Sequence, residues 1–264
     1  MKKPQKHKNY PKAPIVEATI QINFELKKLP KGKEESSIAV WTRALKPIRE
    51  RYPQSSDLAT HTQELTLGAT GGLTIRQDKI GFRLDNPSTG YVVQLRNEPL
   101  MAGEATAGVL AVSRLAPYES WEPFLAEMKS VWEHVVKTKR VANITRVSTR
   151  YINRIDVEST KAIELGEIFQ ICPKIPNGLD AQVVHFNSQI NLKLPDDMLC
   201  IVRQSPSDSP HPDKRGLLFD IDVQYQGKIP SEQGIWPILE NLRNAKNRVF
   251  EFGFTPAQKK KFSK

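Results

Sequence analysis

The sequence predicts an α+β protein of two related halves, each an antiparallel β-sheet with helices packed on one face, in the order strand, helix, several strands, helix. Three observations lead there. Val16, Ala18, Ile20, Ile22, Phe24 and Leu26 alternate with Glu17, Thr19, Gln21, Asn23 and Glu25, the period of a strand buried on one side. Trp121, Phe124, Leu125, Met128, Val131, Trp132, Val135 and Val136 recur at the spacing of one helix face. The same succession then begins again at residue 144. The halves are expected at 13–140 and 141–254, between lysine-bearing tails at 1–12 and 255–264 that are expected to be disordered.

After the first strand, Ile38, Trp41, Leu45 and Ile48 mark a helix that Pro47 should kink or end early. Short strands follow at 65–67, 73–76, 80–84, 91–97 and 109–115. Their breaks fall at Gly71-Gly72, at Gln77-Asp78-Lys79 and at 85–90, whose Gly, Pro, Asn and Asp suit turns. The helix carrying Trp121 closes the first half. In the second half a strand is expected at 144–157, a short helix at 162–169, strands at 183–194, 199–204 and 217–225, and a helix through Ile235, Leu239, Leu242 and Val249. The Pro- and Ser-rich segment 205–213 is expected to be a mobile loop. The four tryptophans, at 41, 121, 132 and 236, fall in helices and are expected in the core.

Net charge is +10, but five lysines before residue 13 and four after residue 254 account for nine of it, leaving +1 for residues 13–254. A nucleic-acid-binding domain concentrates Lys and Arg on its folded surface, so the high overall charge is a weak pointer to that role. Cys172 and Cys200 stand in no paired spacing, which argues against a disulfide scaffold or a structural zinc site. No apolar run approaches a membrane span or a signal-peptide core, and a soluble cytoplasmic protein is expected.

Three segments carry a resemblance: Ala13-Pro-Ile-Val-Glu-Ala18, Arg114-Leu-Ala-Pro-Tyr-Glu-Ser-Trp-Glu-Pro-Phe124 and Arg150-Tyr-Ile-Asn-Arg-Ile155. Together they resemble a sporadically distributed prokaryotic family of uncharacterised proteins, over most of 13–254. The resemblance implies an accessory, horizontally moving gene of the kind found in phage-defence or toxin–antitoxin neighbourhoods. It carries no catalytic residue to this chain.

The strand at 144–157 holds the candidate site. Val147, Tyr151, Ile155 and Val157 share one face, while Arg146, Ser148, Arg150, Arg154 and Asp156 line the other. Arginine offers a planar fork suited to carboxylate or phosphate, so Arg146, Arg150 and Arg154, with Asn153, Glu17 and Glu25, form the expected binding set. His185, Asn187, Gln189, Asn191, Asp220 and Asp222 should extend the same polar face. Alternation alone also produces such faces, with opposite charges paired across strands.

Asp220-Ile-Asp222 puts two carboxylates on one strand face, as a magnesium-dependent phosphoryl-transfer site requires, but no phosphate-binding loop stands beside it. Gly68-Ala-Thr-Gly-Gly72 lacks a following Gly-Lys-Ser/Thr and is expected to be a turn. The histidines at 7, 61, 134, 185 and 211 have no ligand spacing, and no GxSxG or HExxH pattern occurs. The favoured expectation is therefore a non-catalytic protein without cofactor or metal that binds a macromolecular partner, most simply a protein. Two alternatives stand beside it: a nucleic-acid binder using the arginine strand and lysine tails, and a metal-dependent phosphoester enzyme using Asp220 and Asp222.

Overall fold

The computed structural model describes residues 10–30, 32, 35–66, 72–99, 106–159, 164–174, 176, 178–179, 181–227, 229 and 232–263, and among strand and helix residues the side chains of 62–66, 72–76, 99, 106 and 232 are left aside. Strands β1 (Ile15–Leu26), β2 (Gln54–Thr66), β3 (Gly72–Asn86), β4 (Tyr91–Pro99), β5 (Thr106–Leu115), β6 (Val141–Glu158), β7 (Ser188–Leu194), β8 (Met198–Asp208) and β9 (Lys214–Tyr225) form one antiparallel sheet. Its order is β2-β3-β4-β5-β1-β6-β9-β8-β7. Helices α1 (Ser37–Leu45), α2 (Trp121–Lys137), α3 (Leu165–Ile168), α4 (Ile235–Gly253) and α5 (Pro256–Phe262) complete the fold. The α+β class is as the sequence predicts.

Strand β1 forms because its alternation lets Ala18, Ile20, Ile22 and Phe24 be buried completely while Glu17, Thr19, Gln21 and Glu25 of its other face stay partly exposed. It pairs with β5 on one side and β6 on the other, which places the arginine strand at the middle of the sheet. Helices α1, α2 and α4 pack their apolar stripes on that same side. Phe24 meets Trp41 of α1 and Trp132 of α2 edge-on at 5.8 and 5.5 Å, whereas Phe219 of β9 stacks on Phe169 and tilts against Phe254 beyond α4. Trp41, Trp121 and Trp132 are buried and Trp236 is half-buried. Ser36 caps α1 by accepting from the Ala39 amide, and Pro47 ends it in a 3-10 turn over Lys46–Arg51.

Several boundaries differ from expectation. The expected break at Gln77-Asp78-Lys79 is uninterrupted strand: these residues pair with His61, Thr60 and Ala59 near the sheet edge, where Gln77 and Lys79 are exposed, so polar side chains do not end the ladder. The expected loop at 205–213 shortens to 209–213, because β8 continues to Asp208. Past Gln204 it has lost its β7 neighbour, and an edge strand tolerates Pro206. Strand β7 starts at Ser188, leaving His185 and Asn187 exposed outside the sheet.

The C-terminal segment is a further correction, since Pro256–Phe262 is helical where a disordered tail was expected. Thr255 caps it by accepting from the Gln258 amide at 3.2 Å, Phe262 is buried against Phe250, Phe254 and Tyr10, and the Lys12 amide donates to the Phe262 carbonyl. The lysines at 259–261 thus ride on a docked helix. Residues 1–9, all of the expected turn at 68–72 but Gly72, which begins β3, the first two residues of the expected helix at 162–169, and Lys264 lie outside the described residues.

Candidate binding face of the sheet

Among the described residues the helices occupy one side of the sheet, and the opposite side is an open field of side chains. Its floor is crowded enough to bury polar groups: Asn23, Ser148, Asp220, Asp222 and Gln224 are all buried, as are Val92 and Val109. Registers fix the neighbours. Arg150 lies across from Thr19 on β1 and from Asp222 on β9, and Asp220 lies across from Arg203 on β8.

The centre of the face is an arginine–aspartate cluster. Arg150 donates from Nε to Asp220 Oδ1 at 2.8 Å and from Nη2 to Oδ2 at 2.7 Å, a fork-on-carboxylate geometry. Arg203 adds a longer contact from Nη1 to Oδ2 at 3.4 Å, and its Nε donates to Gln189 Oε1 at 2.9 Å. Gln189 in turn donates to Asn191, so that two of the expected polar residues on β7 join the network. The Asp220 hydrogen bonds hold the Arg150 guanidinium above the ordinary arginine range, outweighing burial.

Asp222 is treated differently by its surroundings. Burial raises its carboxyl above the usual aspartate range, an effect that Arg146 opposes and Asp220 reinforces. Its Oδ1 is buried without a hydrogen-bond partner. Arg146 therefore acts on it through space.

The remaining expected residues spread outward. Arg154 pairs with Asp156 at 3.2 Å near the end of β6, and its Cδ lies against Gly216, where a side chain would intrude. Glu17 accepts from Thr19, which also shares a 2.8 Å bond with Ser113. Glu25 sits eight residues along the same strand, about 26 Å away, and accepts from Asn143 at 2.7 Å, so it does not join the central cluster. Asn153 is on the other face altogether: it is fully buried on the helix side and donates to the Phe219 carbonyl at 3.0 Å. Its odd position in β6 already placed it with Tyr151 and Ile155, and its polar side chain misled the expectation.

Sequence reasoning missed Arg203. Its signal was present, because Leu199, Ile201 and Arg203 alternate with buried Met198, Cys200 and Val202, but only the register with Asp220 shows its importance. It also missed Lys246, on the apolar stripe of α4 with Leu242 and Val249. Lys246 is buried, with Nζ 3.8 Å from the centre of the Tyr151 ring, whose hydroxyl bonds that of Tyr118 at 3.0 Å. Burial, reinforced by Arg243, lowers its amine to about 7.

Among the described residues no three or more His, Cys, Asp or Glu side chains are grouped to hold a metal ion, and both oxygens of Asp220 are engaged by arginine. Nor is any described helix long and apolar enough to cross a membrane.

No family model matches the chain, and no curated protein matches it. Among solved structures the chain is similar to the di-domain ARO/CYC StfQ from the steffimycin biosynthetic pathway, at 10% identity over 88% of this chain and 92% of that one. The TM-score is 0.18, too low to carry an argument about fold or function.

Proposed function

We propose that the protein is a non-catalytic binding protein that recognises a macromolecular partner, most simply a protein, through the open face of its sheet. The observation that carries this is a nine-stranded sheet whose described helices lie on one side, while the other side bears an ordered mosaic centred on Arg150, Asp220 and Arg203. Charges of both signs are interspersed there. Arg83 binds Asp85, Arg96 faces Glu98, and Glu98 accepts from Asn23. A balanced mosaic suits a protein surface better than a continuous phosphate backbone, which favours unbroken positive charge.

The reading extends to a cytoplasmic accessory protein of a prokaryote, in a phage-defence or toxin–antitoxin module; its support is the resemblance carried by residues 13–18, 114–124 and 150–155. It also takes the two halves as related units. Support for that is the repeated order of strand, helix, further strands and long helix, with the opening strands β1 and β6 paired antiparallel at the middle.

The test compares proteins that co-purify with tagged wild type and with a folded Arg150→Gln, Arg154→Gln variant. Loss of a specific partner from the variant is expected. An identical set of partners would overturn the assignment of this face.

A further inference from the structure

The charged groups around Asp220 are layered. At the centre of the face the carboxylate lies on the floor and the guanidinium groups above it: the side chain of Asp220 is 7% exposed, whereas those of Arg150 and Arg203 are 46% and 37% exposed. Over Asp220 an approaching partner therefore meets cations first, although the face as a whole is balanced. Arg150 spends Nε and Nη2 on Asp220, and Arg203 spends Nε on Gln189 and Nη1 on Asp220. Among the described residues, Nη1 of Arg150 and Nη2 of Arg203 make no hydrogen bond, so each keeps donors for an incoming group. Both arginines are tied to the same carboxylate from strands on either side of β9, which brings the two guanidinium groups together over Asp220.

We propose that Arg150 and Arg203 form a two-arginine clamp for a carboxylate side chain of an acidic, extended protein segment; this deepens the binding reading above and rests on it. Arginine forks recognise carboxylate and phosphate alike, so the surroundings decide between them. Asp156 and Glu17 stand among the neighbouring arginines and would repel an evenly charged phosphate chain, but leave room for isolated carboxylates. Ile152, Leu199, Ile201 and Leu218 share the face, half-buried beside the clamp, and can receive the apolar side chains that intervene in a peptide. Asp220 holds the two guanidinium groups in place before the partner arrives, which lowers the ordering cost of binding.

Fluorescence anisotropy at low ionic strength tests the clamp with three labelled probes of equal length: a Glu-Ala peptide whose single glutamates are separated by runs of alanine, its Gln-Ala counterpart, and single-stranded oligothymidylate. Wild type should bind the Glu-Ala peptide and not the Gln-Ala peptide. The Arg150→Gln, Arg203→Gln variant should bind about tenfold or more weakly, as expected for loss of two charge-assisted contacts. Lys46→Gln with Lys137→Gln, which removes equal charge from the exposed helical side, should leave binding unchanged. Equal weakening by both charge-removing pairs, tighter binding of oligothymidylate, or no binding of the Glu-Ala peptide would overturn the proposal. Hydrogen exchange separates its failure from that of the wider reading: oligothymidylate protecting 146–156 and 198–205 sinks only the carboxylate preference, whereas protection confined to the helices sinks both.

Discussion

Replacing Lys246 by methionine should stabilise the protein, and the size of the effect follows from where the amine sits. Its ordinary value is 10.5, and burial beneath α4 lowers it to about 7. At pH 7 the unfolded chain carries the ammonium almost completely, while the folded chain carries it about half the time. The difference corresponds to a penalty on the order of 4 kcal/mol, for a residue that is 8% exposed. The contact with the Tyr151 ring offsets part of this, about 1 to 2 kcal/mol for a desolvated cation, and is lost with the amine. Methionine keeps the length and fills the same gap, so a net gain of about 2 to 3 kcal/mol is expected near neutrality. The sign of the pH dependence is fixed by proton counting. Between about 7 and 10.5 the unfolded state binds more protons, so the wild-type contribution improves as pH rises; below about 7 the penalty is full and constant. Urea unfolding of both proteins across this range isolates the residue through their difference. A variant less stable than wild type, or a difference that does not shrink toward high pH, would refute the reasoning.

Two other outcomes follow from the same structure. Asp222→Asn should stabilise the fold at neutral pH and lose that advantage in acid: a carboxyl raised by burial favours folding when protonated, and that contribution is lost as pH rises through its folded value; urea midpoints at the two pH values check it. Gly108→Ala should destabilise by about 1 to 3 kcal/mol through overpacking, because the added carbon would lie 2.5 Å from the Phe24 ring and 2.9 Å from Trp41, and thermal unfolding reads it.

Much of the architecture was legible because period and burial coincide. The alternation in β1 and the helical spacing in α2 reflect one-sided burial, and those elements appear close to where the pattern puts them. Edge segments were less legible, since polar residues near a sheet edge need not end a strand, as Gln77 to Lys79 show. The C-terminal helix was hidden because a single apolar anchor, Phe262, carries no periodicity, although Thr255 and Pro256 form a start signal that could have been recognised. For the binding face, sequence parity put Arg146, Arg150 and Arg154 together with their charges outward. What parity could not supply was the cross-strand register. Only that register sets Arg203 opposite Asp220, and separates Glu25 from the cluster that Glu17 adjoins.

The most direct measurement is hydrogen exchange on the protein with and without the partner it retains on purification. Slowed exchange in β6, β8 and β9, with α2 and α4 unchanged, is the result expected if recognition occurs on the uncovered side of the sheet. Slowing restricted to α2 and α4 would contradict it.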